Sequence, residues 1–132
     1  MLFRSQPGSV RVYGTGEDVL LVTFGNGVRM SLRAARRLSA RGVQAAVLDL
    51  QWLAPLPLAE LLACAQSFPR VLVVDETRRS GGVSEAVVTA LVDAGYRGRI
   101  SRVTSRDSFV PLGPAAAEVL LSEDDVVSAA AE

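Results

Sequence analysis

Three continuous runs of apolar residues, each followed by a segment of different periodicity, limit this 132-residue chain to a small set of folds. The runs cover 18–24 (DVLLVTF), 43–50 (VQAAVLDL) and 70–76 (RVLVVDE). A run with almost no polar interruption is typical of a strand buried on both faces, as in a parallel sheet. Parallel strands are joined by helices that cross the faces of the sheet, so the pattern predicts an α/β domain.

The predicted elements alternate between strands and helices along the chain. The helical segments end at a glycine or begin at a proline, which are ordinary stop and start signals. Ser122 is a candidate N-cap, because acidic residues follow it where the helix dipole favours them. The predicted strands are 10–13 (at a sheet edge), 18–24, 43–50, 70–76 and 99–105, and the predicted helices are 28–42, 57–66, 81–95 and the closing turns 115–121 and 122–132.

This order predicts a three-layer α/β/α fold, with an open, mostly parallel sheet of about five strands and helices on both faces. The length fits one domain, so 1–132 is assigned to a single domain in which 1–9 form a flexible or linker-like start. The segment 106–114 (RDSFVPLGP) is predicted to be an ordered loop. No internal repeat or low-complexity segment divides the sequence.

Composition argues against several classes of chemistry. The chain contains neither His nor Lys, so it lacks the usual general base near neutral pH, a Schiff-base lysine and a P-loop lysine. Its one cysteine, Cys64, cannot form an internal disulfide or a cysteine zinc site, and we expect a small buried apolar side chain there. We therefore predict no catalytic, cofactor-binding or metal-binding residue in the chain.

Charge and hydropathy indicate the expected surroundings. The 14 basic residues, all arginine, balance 14 acidic residues, which predicts neither a nucleic-acid partner nor an anionic membrane partner. No apolar run approaches the roughly 18 residues of a membrane span. The first residues lack the apolar core of a signal peptide. The expectation is a soluble cytoplasmic protein.

Ligands of open α/β sheets bind beyond the carboxyl ends of the strands, where three predicted loops meet: 24–28, 49–57 and 75–82. The first loop contains GNGVRM, which nearly matches a dinucleotide-binding turn, and Asp49 ends the next strand at about the right distance. Met30 stands where a third glycine would allow close helix packing. We favour a tight turn that requires glycine and leaves the helix start free to bind a stray anion, with nucleotide binding as the alternative.

The second and third loops carry candidate contact residues. Trp52 lies among leucines and prolines, either as part of a protein interface or packed beneath the sheet edge. Asp75 and Glu76 could form an acid/base pair in principle. Adjacent residues at a strand end usually point to opposite faces, however, so they rarely act on one atom.

Arginines and glycines follow these two acids. Arg78 and Arg79 favour ion pairing with the acids over catalysis. Gly81 and Gly82 allow the chain to turn sharply and start a helix. An interface or structural role is the preferred interpretation of 75–82, and an anion site and a catalytic site are the alternatives.

Three segments resemble the C-terminal domain of the transketolase family, from about residue 10 to the end of the chain. The first two are DVLLVTFGNGV…SLRAARRLSARGVQAAVLDLQWLAPLP and VLVVDETRRSGGVSEAV, in which a strand, an acid and a Gly-Gly helix start follow one another. The third, VTSRDSFVPLGPAAAEVLLSEDDVVSAA, resembles the ending of E1 components of 2-oxoacid dehydrogenases, above all those with alpha and beta parts on one chain. Its most discriminating residues are Asp107, Phe109, Pro111 and Gly113.

One residue departs from the family pattern. Ser84 stands where many relatives have the last glycine of a Gly-Gly-x-Gly run, which affects the expected loop shape and not the fold. A sister family, deoxyxylulose-phosphate synthase, is similar over the first half but usually differs in the closing loop. It is the alternative parent enzyme, and a free-standing nucleotide- or anion-binding module is the second alternative.

The resemblance implies a specific function. E1 enzymes use thiamine diphosphate and magnesium to decarboxylate a 2-oxo acid, and they pass the acyl group to a lipoyl arm on the E2 component. Other domains hold the cofactor, while the C-terminal domain braces the homodimer or heterotetramer and helps to dock the E2 subunit-binding domain. The chain is thus expected to be a non-catalytic assembly domain. Its predicted interface residues are Trp52, Asp75, Glu76, Arg78, Arg79, Gly81, Gly82, Asp107 and Phe109.

Overall fold

A computed structural model describes residues 8–132, and one five-stranded sheet runs through them. The strands are β1 Arg11–Tyr13, β2 Val19–Thr23, β3 Ala45–Asp49, β4 Arg70–Arg78 and β5 Arg99–Ser105. They lie in the order β1-β3-β2-β4-β5. All pairs are parallel except β1 with β3, which is antiparallel at one edge.

The helices occupy the expected places. They are α1 Asn26–Ala40, α2 Leu58–Ala65, α3 Val83–Asp93 and α4 Glu123–Ala131, and a 3₁₀ helix covers Gly113–Glu118. The predicted α/β fold with a mostly parallel sheet is therefore confirmed. Most boundaries differ from the sequence pattern by one or two residues. In particular, β4 runs two residues further than 70–76, and the closing turn at 115–121 is the 3₁₀ helix Gly113–Glu118, which has Pro114 in its first turn.

Side chains alternate across the central strands and build a core on each face of the sheet. On one face, Leu20, Leu48 and Val73 pack against α2 and α3. On the other face, Leu21 and Leu72 pack against α1 and α4 and form a second core. Both faces of β2 are fully shielded from solvent, which explains why its sequence shows no polar alternation.

The direction of the chain reverses beside the central strand. From β2 the chain passes through α1 to β3, and it then returns past β2 through α2 to β4 and continues through α3 to β5. Crossovers of one hand put helices on opposite faces when the direction reverses, which is why α1 lies opposite α2 and α3. The reversal lies between β2 and β4, which is where ligand sites of such sheets form.

Charged contacts fix α4 at both of its ends. Ser122 and Asp125 form a reciprocal capping box at its start, so the predicted N-cap is confirmed. Arg33 and Arg37 of α1 form ion pairs with acidic side chains of its first turn, at 2.8–3.3 Å. Arg70 donates hydrogen bonds to two carbonyl oxygens of its last turn. These contacts hold α4 over the second core.

The start of the described chain is attached to the domain. The Val10 amide donates to the Glu60 carboxylate at 2.6 Å. The expectation of a flexible start at 1–9 concerns mainly residues outside the described range. Within that range, the helices are too short or too polar to cross a membrane.

Gly27 lets α1 approach β2 closely. A Cβ atom at this position would clash with Oγ1 of Thr23, a residue fully shielded from solvent. The third glycine of a dinucleotide turn would serve close packing at Met30, whereas here Met30 packs partly buried against the second core. In this chain, therefore, Gly27 and not residue 30 is the small residue that allows α1 to approach β2 closely.

We predict that Gly27→Ala destabilises the protein, although Gly→Ala in a helix ordinarily adds up to about 1 kcal/mol of stability. Overpacking against Thr23 should cost about 1–3 kcal/mol, measured by urea unfolding. Thr23→Ala should relieve the effect of Gly27→Ala, because the new Cβ would lie 3.5 Å from the Thr23 Cβ. Thr23→Val places a methyl group where the crowding hydroxyl oxygen lies and should give no relief. If Thr23→Ala and Thr23→Val restored the stability of Gly27→Ala equally, the clash with the Thr23 side chain would not be the cause of the destabilisation.

Candidate functional site

The carboxyl edge of the sheet brings the predicted loops together. Loops 24–25, 50–57 and 79–82 follow β2, β3 and β4, and the segment 106–112 follows β5 at the same edge. Asp107 and Phe109 therefore join the other predicted interface residues on one side of the molecule. The edge divides into a polar centre at 75–84 and apolar side chains in the flanking loops.

A buried carboxylate organises the loop after β4. Asp75 is fully shielded from solvent. Its Oδ1 accepts hydrogen bonds from the amide and hydroxyl of Thr77, at 2.8 and 2.6 Å, and its Oδ2 accepts one from the amide of Ser84, at 2.7 Å. Ser84 lies in the first turn of α3, so Asp75 also caps that helix. Asp75 thus shapes the loop from inside, and the interface prediction for this residue stays a prediction.

Two glycines allow the carboxylate to be enclosed in this way. Gly81 has a positive φ of 69°, which side chains disfavour. A Cβ on Gly82 would lie 2.7 Å from the Arg78 carbonyl oxygen and 2.8 Å from the Thr77 hydroxyl. Both glycines therefore serve the local path of the chain, and their predicted participation in an interface stays a prediction.

A bulge redirects the end of β4. Pairing with β5 shifts between Asp75, opposite Thr104, and Arg78, opposite Ser105, so Glu76 and Thr77 fall outside the regular ladder. Ser105 bridges the interrupted part of the ladder. Its hydroxyl donates to the Glu76 carbonyl and accepts from the Leu121 amide. After the bulge, Arg78 rejoins the ladder opposite Ser105 and is the last residue of β4, and Arg79 begins the loop.

Arg102 holds the loop from the neighbouring strand. Its guanidinium donates to the carbonyl of Arg79 and to the hydroxyl of Ser84, and it lies 4.0 Å from the carboxylate of Glu85. Sequence reasoning missed this residue. A single arginine in the middle of β5 gives no sign that its side chain crosses to the loop after β4.

Ser80 and Asp107 join the loops after β4 and β5. Ser80 donates its amide and its hydroxyl to the two carboxylate oxygens of Asp107, at 2.8 and 2.6 Å. These hydrogen bonds hold the pKa of Asp107 below its ordinary value, with the Ser80 hydroxyl as the largest cause. Ser80 was not among the predicted site residues, although its position beside two arginines and two glycines marks it as a loop residue.

The two loop arginines are exposed and do not pair with the adjacent acids. Arg78 uses its Nε to donate to the Ser80 carbonyl, at 2.8 Å. Within residues 8–132, neither Arg78 nor Arg79 forms an ion pair with Asp75 or Glu76. The expected pairing is wrong because the Asp75 carboxylate is already enclosed by hydrogen bonds from Thr77 and Ser84. The two guanidinium groups are left facing solvent.

Apolar side chains are exposed on both flanks of this centre. Phe109 and Leu112 are each 97% exposed, on the loop that Asp107 anchors. Leu53 is 43% exposed on the loop after β3, and Trp52 beside it is half-buried with its indole Nε1 shielded from solvent. The interface predictions for Trp52 and Phe109 stay predictions, and their different exposure makes Phe109 the more accessible of the two.

A groove of about 850 Å³ lies between the two joined loops. Six residues line it: Arg78, Ser80, Gly81, Asp107, Ser108 and Phe109. Arginine, aromatic and polar surfaces therefore meet in one depression, which is suited to binding another molecule.

The described residues do not fit a bound thiamine diphosphate with magnesium. They contain no cluster of acidic or cysteine side chains that could hold a metal ion. The GNG turn offers little to a phosphate, because the amides of Gly27 and Val28 already donate to carbonyl oxygens of the turn. Its Gly25 has a positive φ of 58°, which supports the preferred interpretation of a tight turn.

Comparisons with known proteins agree on one family. The family model for the transketolase C-terminal domain matches residues 8–126. The chain is 38% identical over 103 residues to 1-deoxy-D-xylulose-5-phosphate synthase of Gloeobacter violaceus, spanning 78% of this chain and 16% of that enzyme. It is 30% identical over 128 residues to the pyruvate dehydrogenase E1 component subunit beta of Staphylococcus aureus, spanning 95% of this chain and 39% of that subunit.

A solved structure extends this likeness to three dimensions. A split-gene transketolase, described as an inactive beta4 tetramer, superposes with a TM-score of 0.86 and 29% identity. The match covers 98% of this chain and 42% of that one. The chain therefore spans less than half the length of each of these similar proteins.

Replacing Asp75 by asparagine tests the buried carboxylate. We expect Asp75→Asn to lower the free energy of unfolding by about 1–3 kcal/mol, because an amide nitrogen would then face a backbone or hydroxyl donor. Amide hydrogen exchange at Ser84 should accelerate as the first turn of α3 opens. Glu76→Gln is the control and should stay within about 0.5 kcal/mol. Equal stability of the two variants would contradict the assigned role of Asp75.

The Ser80–Asp107 pair predicts a pH dependence. The pKa of Asp107 is depressed in the folded protein, so its stabilising effect is present above the unfolded pKa of about 3.9 and is lost as pH falls through the lower folded pKa. An NMR titration of the Ser80 amide should have its midpoint below that of an ordinary aspartate. In the Ser80→Ala variant, the titration midpoint observed at the Asp107 side chain should move to higher pH. An unchanged midpoint would mean that the pair does not set this pKa.

Proposed function

Because the chain belongs to the transketolase C-terminal domain family, we propose that it is the assembly domain of the E1 component of a 2-oxoacid dehydrogenase. In this role it holds subunits together and catalyses nothing by itself. Thiamine diphosphate and magnesium bind to other parts of the parent enzyme, which decarboxylates a 2-oxo acid. The enzyme is a homodimer or heterotetramer, and the E2 subunit-binding domain is a further partner.

One observation carries the proposal: the edge that would hold a ligand presents an ordered surface instead of reactive groups. The Asp75 carboxylate is enclosed, and Asp107 is engaged by Ser80. Arg78, Arg79 and Phe109 are among the side chains left exposed at this edge. Aromatic and arginine side chains are enriched where proteins meet each other.

The E1 parent is preferred because of how far the likeness extends. The relative named as an E1 beta subunit matches over 95% of this chain, which takes in the closing loop with Asp107 and Phe109. The deoxyxylulose-phosphate synthase is more identical, at 38%, but over only 78% of the chain. That enzyme is the second candidate, and the two parents differ in their product.

Charge reversal of the two exposed arginines tests the proposal. We expect Arg78→Glu with Arg79→Glu to leave the melting temperature of the 132-residue chain within a few degrees, because surface substitutions usually change stability by only about 0.5 kcal/mol. In the full-length parent enzyme the same change should weaken dimerisation or E2 binding, with loss of 2-oxo acid decarboxylation as a consequence. Analytical ultracentrifugation and an activity assay measure the two effects.

The matched control is Arg36→Glu with Arg41→Glu, two exposed arginines in the second half and at the C-cap of α1, toward the opposite edge of the sheet. These changes should leave assembly intact. Normal assembly with lost turnover in the Arg78 and Arg79 variant would assign the loop to the active site. Formation of 1-deoxy-D-xylulose 5-phosphate by the unmodified parent would select the second candidate.

A further inference from the structure

We infer that the groove between Arg78 and Phe109 receives an acidic segment of a partner subunit that also carries an apolar side chain. This inference rests on the proposed assembly function and adds the chemistry of the occupant. It depends on three properties of the groove: its walls are held in place, the residues beside it add a surplus of positive charge, and one of its walls is apolar.

Hydrogen bonds fix both walls before any partner arrives. Ser80 joins them through its two contacts with Asp107. Arg102 and Asp75 hold the first wall from below, through the Arg79 carbonyl and the Ser84 amide. A surface that is already ordered loses less conformational entropy on binding, so even a small groove can contribute to affinity.

The charge in the groove favours an anion. Asp107 contributes the one carboxylate of the lining and offsets the charge of Arg78, so the positive surplus comes from the neighbouring arginines. Both oxygens of Asp107 already accept hydrogen bonds from Ser80. Arg78 donates only its Nε within the described chain, to the Ser80 carbonyl, so its two terminal nitrogens remain available. Arg79 and Arg106 are exposed next to the lining residues. A carboxylate can therefore be bound by Arg78, and a cation would meet a carboxylate whose oxygens are already engaged.

The opposite wall selects an apolar neighbour for that carboxylate. Phe109 is 97% exposed, and Val110 and Leu112 on the same loop are 55% and 97% exposed. Burying a phenylalanine side chain against a partner is favourable, because apolar area is removed from water. Phe109 lies at the rim of the groove that Arg78 lines, so one short segment with an acidic and an apolar side chain contacts both walls. A free phosphate would satisfy Arg78 and leave Phe109 in water.

Short peptides test this chemistry on the whole 132-residue chain. The probe is an acetylated and amidated peptide, Gly-Glu-Phe-Leu-Gly, with matched peptides in which Gln or Lys replaces Glu. Binding is followed by ¹⁵N NMR. We expect the Glu peptide to shift the amides of Ser80, Gly81 and Ser108 at millimolar concentration. The Gln peptide should bind about five- to tenfold more weakly and the Lys peptide more weakly still, a difference that shrinks as salt rises.

Two variants and a control separate the contributions. Arg78→Gln should abolish the preference for Glu over Gln, and Phe109→Ser should weaken binding of all three peptides. Arg41→Gln, at the C-cap of α1 and toward the opposite edge of the sheet, should change neither result. Equal binding of the three peptides, shifts outside the groove, or no shifts at millimolar peptide would each overturn the inference. Because the parent enzyme is absent from this experiment, such a failure would leave the assembly role to be judged by the ultracentrifugation test.

Discussion

The buried carboxylate of Asp75 is the contact on which the geometry of the ligand edge depends. A charged group without water must be matched by donors, and here Thr77 and Ser84 supply them from two sides. The same three hydrogen bonds close the turn after β4 and cap α3. The path of 75–84, the positions of the arginines and the place where Ser80 meets Asp107 all follow from that enclosure.

The strands were predictable because burial on both faces leaves a simple signature. In β2 every residue from Val19 to Thr23 is buried, so its sequence is an unbroken apolar run followed by glycine. The N-cap residue Ser122 was equally predictable, since a helix cap involves only a few residues that are neighbours in the chain. These features depend on residues close together in the chain, which is what a pattern search detects.

The interior of the site was not predictable for the opposite reason. An acidic residue at the end of a strand is normally predicted to lie at the surface. Asp75 is buried because the first turn of α3 packs against its carboxylate. Arg102 and Ser80 act across the gap between β4 and β5, at 18 and 27 residues' distance from their partners Ser84 and Asp107. Such contacts exist only once the topology is formed, and a single sequence does not record them.

The position of α4 has a consequence for how the domain forms during synthesis. This helix follows every other described element in the chain, yet Val126, Val127 and Ala130 complete the core on one face of the sheet. While a ribosome is still making residues 123–131, Leu21 and Leu72 have only part of their cover. Exposed apolar surface of that kind favours aggregation, so the nascent domain is expected to need shielding by a chaperone until this last helix emerges.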